Sequence, residues 1–420
     1  MVIKVAEFAI ELNELINSSP RMGSLRINVK MSKEEVLKEK RLQYPQLFKI
    51  DANLDQLVKK IELISYVNPL NIETEKQRFF ASKYVESPVF KYRKLPFDPY
   101  KLHQLFFSQQ IDRIKDEQIR AFYQDVIYFY ANMIQCIETI GQGKKFFYNS
   151  LSTYGTPTKK DVQNAKFILH FSDEPLSEDM EKKYSPEDAR LFFENFVEQY
   201  NFPLNIAYST SIAADAMVQN SSQSLLIKKN AVFSKNQLLT LANHEIGVHL
   251  VTTYNAMLQP LKVFSNGLPR NVETQEGLAV FSEYMSGALT LKRLKELAYR
   301  VLASDSLIKG YSFADTFDMI HSKYKLNRDD AFTITLRAHR GGGFTKDRLY
   351  LSGLRKIHKR YKSGLSMDTL LTGKVSLEYE STMLRMRELG LVLQPAHGNI
   401  AYTKNKNKNE TLDFILNNLK

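Results

Sequence analysis

Residues 234–251 read SKNQLLTLANHEIGVHLV, and this stretch decides the fold. Ser234 and Gln237 form a capping-box pattern that opens a helix. Leu238, Leu239, Leu241, Ala242, Ile246, Val248, Leu250 and Val251 make that helix apolar nearly all round, the pattern of a buried element rather than a solvated one. Set into it are His244, Glu245 and His249, residue types that can hold a zinc ion and activate its water. The spacing departs from H-E-x-x-H, in which the two imidazoles stand four residues apart on one helix face. Here they are five apart, and on a regular helix turning about 100° per residue they would point about 140° away from each other. A π-type turn, with hydrogen bonds from i to i+5, returns them to one side. Gly247 weakens the regular helix by about 1 kcal/mol relative to alanine and leaves room for that distortion. The spacing therefore predicts a widened turn around Ile246 to Val248. The alternative is a chance grouping, with all three polar side chains simply hydrogen-bonded inside a core helix.

Working outward, Ser224 to Phe233 (SLLIKKNAVF) reads as a β-strand running into the helix. A catalytic zinc ion usually takes three protein ligands and leaves a fourth position to water. Asn271 to Gly287 (NVETQEGLAVFSEYMSG) reads as a second helix carrying Glu273, Glu276 and Glu283. Glu276 is the expected third ligand, with Gly277 and Ala279 beside it small enough to pack closely against the first helix. Glu283 shares its face seven residues on and is the expected carboxylate partner of a zinc-bound histidine. Glu273 reads as part of a solvated face.

The run Gln275-Glu276-Gly277-Leu278-Ala279 together with H-E-x-x-x-H resembles the bacterial family of flavohaemoglobin expression-modulating QEGLA-motif proteins. That family is similar to the microtubule-associated tyrosine carboxypeptidases, zinc metallopeptidases with the same signature and a downstream glutamate ligand. Tyr154-Gly155-Thr156-Pro157 and the stretch 337–354 (RAHRGGGFTKDRLYLSGL) extend the resemblance over roughly residues 145 to 395. It implies one Zn²⁺ held by His244, His249 and Glu276, with Glu245 as catalytic base, in an α+β, zincin-like metallopeptidase domain. It also implies a carboxypeptidase acting on the C-terminus of a peptide or protein.

Such an enzyme needs a cation to fix the substrate's terminal carboxylate. Residues 337–362 hold nine Lys or Arg and one acid, Asp347. Arg337, Arg340 and Lys346, which flank Gly341-Gly342-Gly343, are the expected contacts, since arginine offers a planar fork to a carboxylate and glycines let the backbone approach a ligand closely. Tyr350 is placed to donate to an oxyanion. His339 reads as either a substrate contact or a core histidine, and Arg355, Lys356, Lys359, Arg360 and Lys362 read as a solvated helix face.

The rest of the 420 residues bounds the answer. Hydrophobic residues make up 43%, enough to bury a large core. No apolar run reaches the length of about 18 residues that a membrane helix requires. The opening MVIKVAEFAIELNELI carries Glu7, Glu11 and Glu14 and does not suit a secretory leader. The single cysteine, Cys136, excludes an internal disulfide and fits a reducing, cytoplasmic setting, where it reads as a packed core thiol. The net charge of +12 raises an alternative, a non-catalytic regulatory protein binding nucleic acid or an acidic surface. Neither a zinc-finger pairing, nor a base-stacking aromatic motif, nor a phosphate loop accompanies that charge. The expected organisation is a mostly helical N-terminal lobe over 1–145, including one helical stretch from Asp98 to about Gly141. A zincin-like domain over 146–395 and a basic tail over 396–420, with Lys404, Lys406 and Lys408 as a flexible arm, complete it.

Overall fold

The computed structural model describes residues 33–172 and 183–420, except 60, 211, 213 and 221. The N-terminal stretch that does not suit a leader lies outside the described residues. Lys33–Gln43 is a helix in a unit of its own, and Tyr44–Lys420 forms the second unit. Within that second unit helices dominate and the sheet is small, an α+β arrangement. Strand β1 (Asn205–Ser209) pairs in parallel with β3 (Ser224–Lys228), and β2 (Ala216–Gln219) lies antiparallel on the other side of β3. β2 is thus an edge strand. β3 is shorter than the apolar run suggested, because Lys228, Lys229 and Asn230 make a polar turn in which Ala231 N–H bonds to Lys228 O at 3.1 Å. The chain then returns to a single bridge between Tyr184 and Phe233 before Ser234 caps the next helix with the expected capping box.

One hydrophobic core runs through the second unit, from Leu47, Leu54 and Phe122 through Ile246 and Val280 to Leu416. It continues across residues 145 and 395 without a seam. In a second cluster Phe79 packs edge to face on Phe313 and Phe317, and Phe332 lies tilted against Phe79. The stretch after Asp98 that reads as helical holds two α-helices, Pro99–Phe107 and Glu117–Glu138. Asp116 explains the break: its carboxylate caps Gln118 and Ile119 N–H and starts a new helix. Cys136 is fully buried beside Thr153. The tail is no free arm. Lys406 N–H donates to Met285 O at 2.7 Å, and Glu410–Asn417 is a helix that buries Leu412, Ile415 and Leu416. Its apolar stripe outweighs the lysines in deciding where it goes. Among the described residues, none of the helices is long and apolar enough to cross a membrane.

The helix Asn271–Met285 packs on Leu349–Lys362 at backbone distance. A Cβ on Gly277 would stand 2.5 Å from the Gly353 carbonyl carbon, and one on Gly353 would stand 2.1 Å from Glu273 O. Gly277 is therefore small for the sake of this later helix, and not for the first one as its neighbourhood in sequence suggested. The Gly277→Ala variant should lose about 2 kcal/mol or more, since backbone cannot yield as a side chain would. Gly398→Ala, with open space around it, should change stability little. Urea denaturation of the two variants measures the difference.

Candidate metal centre

The widened turn is present. Ala242–Leu250 is a π-helix between two α-helical segments, Lys235–Leu241 and Val251–Met257. Gly247 faces Asn399, Tyr200 and Ser282, where an added Cβ would be 3.3 to 3.5 Å from their polar ends. The turn brings the His244 and His249 rings to 5.0 Å, edge to face, and the ligand atoms of His244, Glu245 and His249 all lie within 4.8 Å of one another. Glu276 completes the group from the second helix. Its Oε2 is 3.6 Å from His244 Nε2 and 3.9 Å from His249 Nε2. Zinc bonds of about 2.1 Å in a tetrahedral array set donor atoms about 3.4 Å apart, close to the 3.6 and 3.9 Å between Glu276 and the two imidazoles, so these residues could hold one small divalent ion.

The groups behind the donors fix their orientation. Glu283, fully buried, stands with Oε1 2.7 Å from His244 Nδ1, which leaves Nε2 facing Glu276. Burial alone would lower the His244 pKa, but the nearby carboxylates of Glu276 and Glu283 raise it to about 10. Three carboxylates thus ask for positive charge at this spot. His249 is held well below its usual value by burial and by His244, so its imidazole is neutral. Burial works against the charge on Glu276, yet Lys346 and the imidazoles keep it ionised, well below the carboxylate range. Burial raises Glu245, opposed by His244 and by the hydrogen bond from Val218 N–H on β2. That N–H is 2.8 Å from Glu245 Oε2, and Oε1 makes no hydrogen bond among the described residues.

Behind this group alternating charges close into a ring. Glu283 Oε2 meets Arg293 Nε at 3.4 Å, Arg293 Nη1 meets Glu296 at 2.9 Å, and Glu296 pairs with Arg300. The Arg300 guanidinium lies over the Tyr350 ring at 5.2 Å, Tyr350 OH is 3.4 Å from Lys346 Nζ, and Lys346 donates to Glu276 Oε1 at 2.9 Å. Every buried charge on the circuit has an opposite neighbour or an aromatic face.

The residues expected to hold a substrate carboxylate are in different states. Arg337 spends its fork on Asp347, with Nη2 to Oδ1 at 2.9 Å and Nε on the other oxygen. Lys346 is bound to Glu276. Arg340 is buried, bonds the neutral Asn68 and covers the Phe344 ring at 5.0 Å, and its Nε has no partner among the described residues. Burial and the neighbouring Arg337 pull its pKa down to about 10. The glycine run approaches the protein itself and not an open site: a Cβ on Gly341 would be 2.4 Å from Phe146, and one on Gly342 would be 2.7 Å from Gly143 O. Both have positive φ, which only glycine adopts at little cost. His339 is a core histidine bonded to Thr316 at 2.8 Å, with its pKa pushed down to about 4 by burial. Glu273 accepts from Ser352 and Lys356, both at 2.6 Å, and so clamps the helix pair where a solvated face was expected. Arg360 likewise grips Glu380 through both terminal nitrogens.

Two further residues of this neighbourhood bear on the bulged segment: Gln275, which opens the QEGLA run, and Lys374, which sits in no motif. Gln275 Oε1 lies 3.0 Å from Thr252 Oγ1 and its amide donates to Gly373 O, and Lys374 reaches the bulged segment from the following loop. Burial lowers the Lys374 pKa to about 7, against the pull of Glu245 and Glu276. A lone lysine in the apolar run Leu370 to Val375 is the signal that could have found it.

The profile of a family described as microtubule-associated tyrosine carboxypeptidase matches residues 77–420. A Mus musculus protein, MATCAP2, which bears the name of a candidate tyrosine carboxypeptidase, is 25% identical over 363 residues, covering 83% of this chain. The chain spans 60% of the length of that relative.

If Arg337 and Asp347 are a structural pair, Asp347→Ala strands a guanidinium that is one-quarter exposed and should cost about 2–3 kcal/mol, below the range for a fully buried pair. Replacing both, Arg337→Met with Asp347→Leu, should recover most of that loss. Thermal denaturation of the single and double variants decides it.

Proposed function

Because the chain belongs to the microtubule-associated tyrosine carboxypeptidase family, we propose that it is a zinc-dependent carboxypeptidase on a zincin-like fold. Its substrate is a peptide or protein with a free C-terminal carboxylate, and a terminal tyrosine, which both matches name, is the first residue to test. The observation that carries this reading is the π-turn that gathers His244 and His249 onto Glu276. Those three side chains would hold the zinc ion, with Glu283 orienting His244 from behind. Zinc held there would lower the pKa of a bound water from 15.7 toward about 7 and polarise the scissile carbonyl.

The chain's own residues do the rest. Glu245 is anchored through Oε2 by Val218 N–H, so Oε1 is the oxygen that takes the water's proton and returns it to the leaving amine. Burial raises its pKa, which suits a group that must both accept and donate near neutral pH. Arg340 is a buried cation without a carboxylate partner among the described residues, and it is assigned to the substrate's terminal carboxylate. Lys346, bonded to Glu276 and to Tyr350, stands beside the metal-binding carboxylate, and Tyr350 is assigned as donor to the oxyanion. Arg337 is held on Asp347, and its charge adds to the positive field around Arg340. The lone buried thiol of Cys136 fits a reducing, cytoplasmic setting.

Peptides ending in tyrosine, with free or amidated termini, test the reading. The protein should bind zinc and cleave only the free terminus, and Glu245→Gln should keep zinc while losing about 10²–10⁴-fold in rate. Undiminished cleavage by Glu245→Gln would remove the proposed base, and equal cleavage of amidated peptides would remove the carboxypeptidase. Arg340→Met should raise KM about tenfold or more, the worth of a charge-assisted contact, with Tm held. An unchanged KM would dismiss the anchor.

A further inference from the structure

The π-turn holds the two imidazoles together only if its C-terminal end is fixed, and the contacts at that end are specific. Lys374, itself buried, donates from Nζ to His249 O at 2.9 Å and to Thr252 Oγ1 at 3.0 Å. Thr253 Oγ1 donates to the same His249 carbonyl at 2.7 Å and is positioned by Asn220. The lysine does not hang free. Lys374 N–H bonds to Phe264 O and its carbonyl accepts from Leu268 N–H, at 2.8 and 2.9 Å, and the adjacent Gly373 carbonyl accepts from Gln275 Nε2. Gln275 Oε1 in turn lies 3.0 Å from Thr252 Oγ1. The loop carrying Lys374 is therefore tied to the residue next to Glu276, while its ammonium group is tied to the carbonyl of His249.

From this geometry we propose that Lys374 is a positioning residue that locks the π-turn, by capping the His249 carbonyl and coupling it through Gln275 to the helix that carries Glu276. The proposal rests on the metal-site reading above, but its mechanical part stands without a metal. A regular helical continuation would move the His249 carbonyl by a fraction of a turn, away from a lysine whose own backbone is fixed at both sides. The lock thus favours the register that aims both imidazoles at Glu276. The positive charge of Lys374 would by itself repel a cation. Mechanical locking and charge therefore predict opposite effects of removing it.

Lys374→Met, Lys374→Arg and Thr253→Val, made in the full chain, separate these effects. Amide hydrogen exchange over residues 249–254 in the metal-free protein should speed up by about tenfold or more in Lys374→Met and by less in Thr253→Val, with Lys374→Arg partly restored. With Co²⁺ as the probe, Lys374→Met should show a weakened tetrahedral visible band and an affinity lower by about 10- to 100-fold. Wild-type exchange together with an unchanged Co²⁺ spectrum would overturn the lock, and so would a higher Co²⁺ affinity with that spectrum retained. If Lys374→Met does not fold, the exchange rates of Thr253→Val decide alone, and wild-type rates there refute it. Failure of the unaltered protein to bind Co²⁺ would instead count against the metal site itself, and the exchange data would still judge the lock.

Discussion

The i to i+5 hydrogen bonding of Ala242–Leu250 is the constraint on which the rest depends. A regular helix would carry the His249 imidazole about 140° round from His244 and leave Glu276 facing one ring. The wide turn exacts its cost in backbone geometry, and the surrounding structure opposes its relaxation. Gly247 presents no side chain to Asn399, Tyr200 and Ser282, and Thr252, Thr253 and Lys374 occupy the carbonyls at its end. Local distortion of this kind persists where neighbours over-determine it, and it collects at functional sites.

Electrostatics supplies the second constraint. Glu245 and Glu283 are buried and Glu276 is largely enclosed around two histidines, and unpaired carboxylates in such a setting would be strongly penalised. The ring through Arg293, Glu296, Arg300, Tyr350 and Lys346 meets that requirement without crowding the ligand atoms. It also fixes both oxygens of Glu276, one toward the imidazoles and one on Lys346. The site is thus held rigid from two sides, by backbone at His249 and by charge at Glu276. Close passage of the Asn271–Met285 helix past Gly353 fixes the distance between them.

Much of this was legible in the chain. The strand entering a capped helix, the two histidines with Glu245, and Glu276 three residues after Glu273 could all be read from residue type and spacing. So could the wide turn, because five residues between imidazoles leave few other ways to converge them. What stayed hidden were the pairings between distant segments. Asp347 stood out as the one acid among nine cations, yet only the fold shows that it takes Arg337 out of contention. The triple glycine looked like a ligand loop because local sequence does not reveal that Phe146 and Gly143 are packed on it. The tail read as a basic arm, since its lysines are more conspicuous than the three apolar residues that dock it. Lys374 sits in no motif, and its role follows from where the loop after Leu371 returns.

The central claim is that one metal ion sits between His244, His249 and Glu276 inside an intact π-turn. X-ray absorption at the zinc edge, with anomalous diffraction from crystals of the zinc-loaded protein, addresses it most directly. The account predicts a first shell of two imidazole nitrogens with the remaining ligands oxygen, and a single anomalous peak beside residues 244, 249 and 276. A peak elsewhere, a shell containing one imidazole, or a regular α-helix with His244 and His249 pointing apart would contradict it.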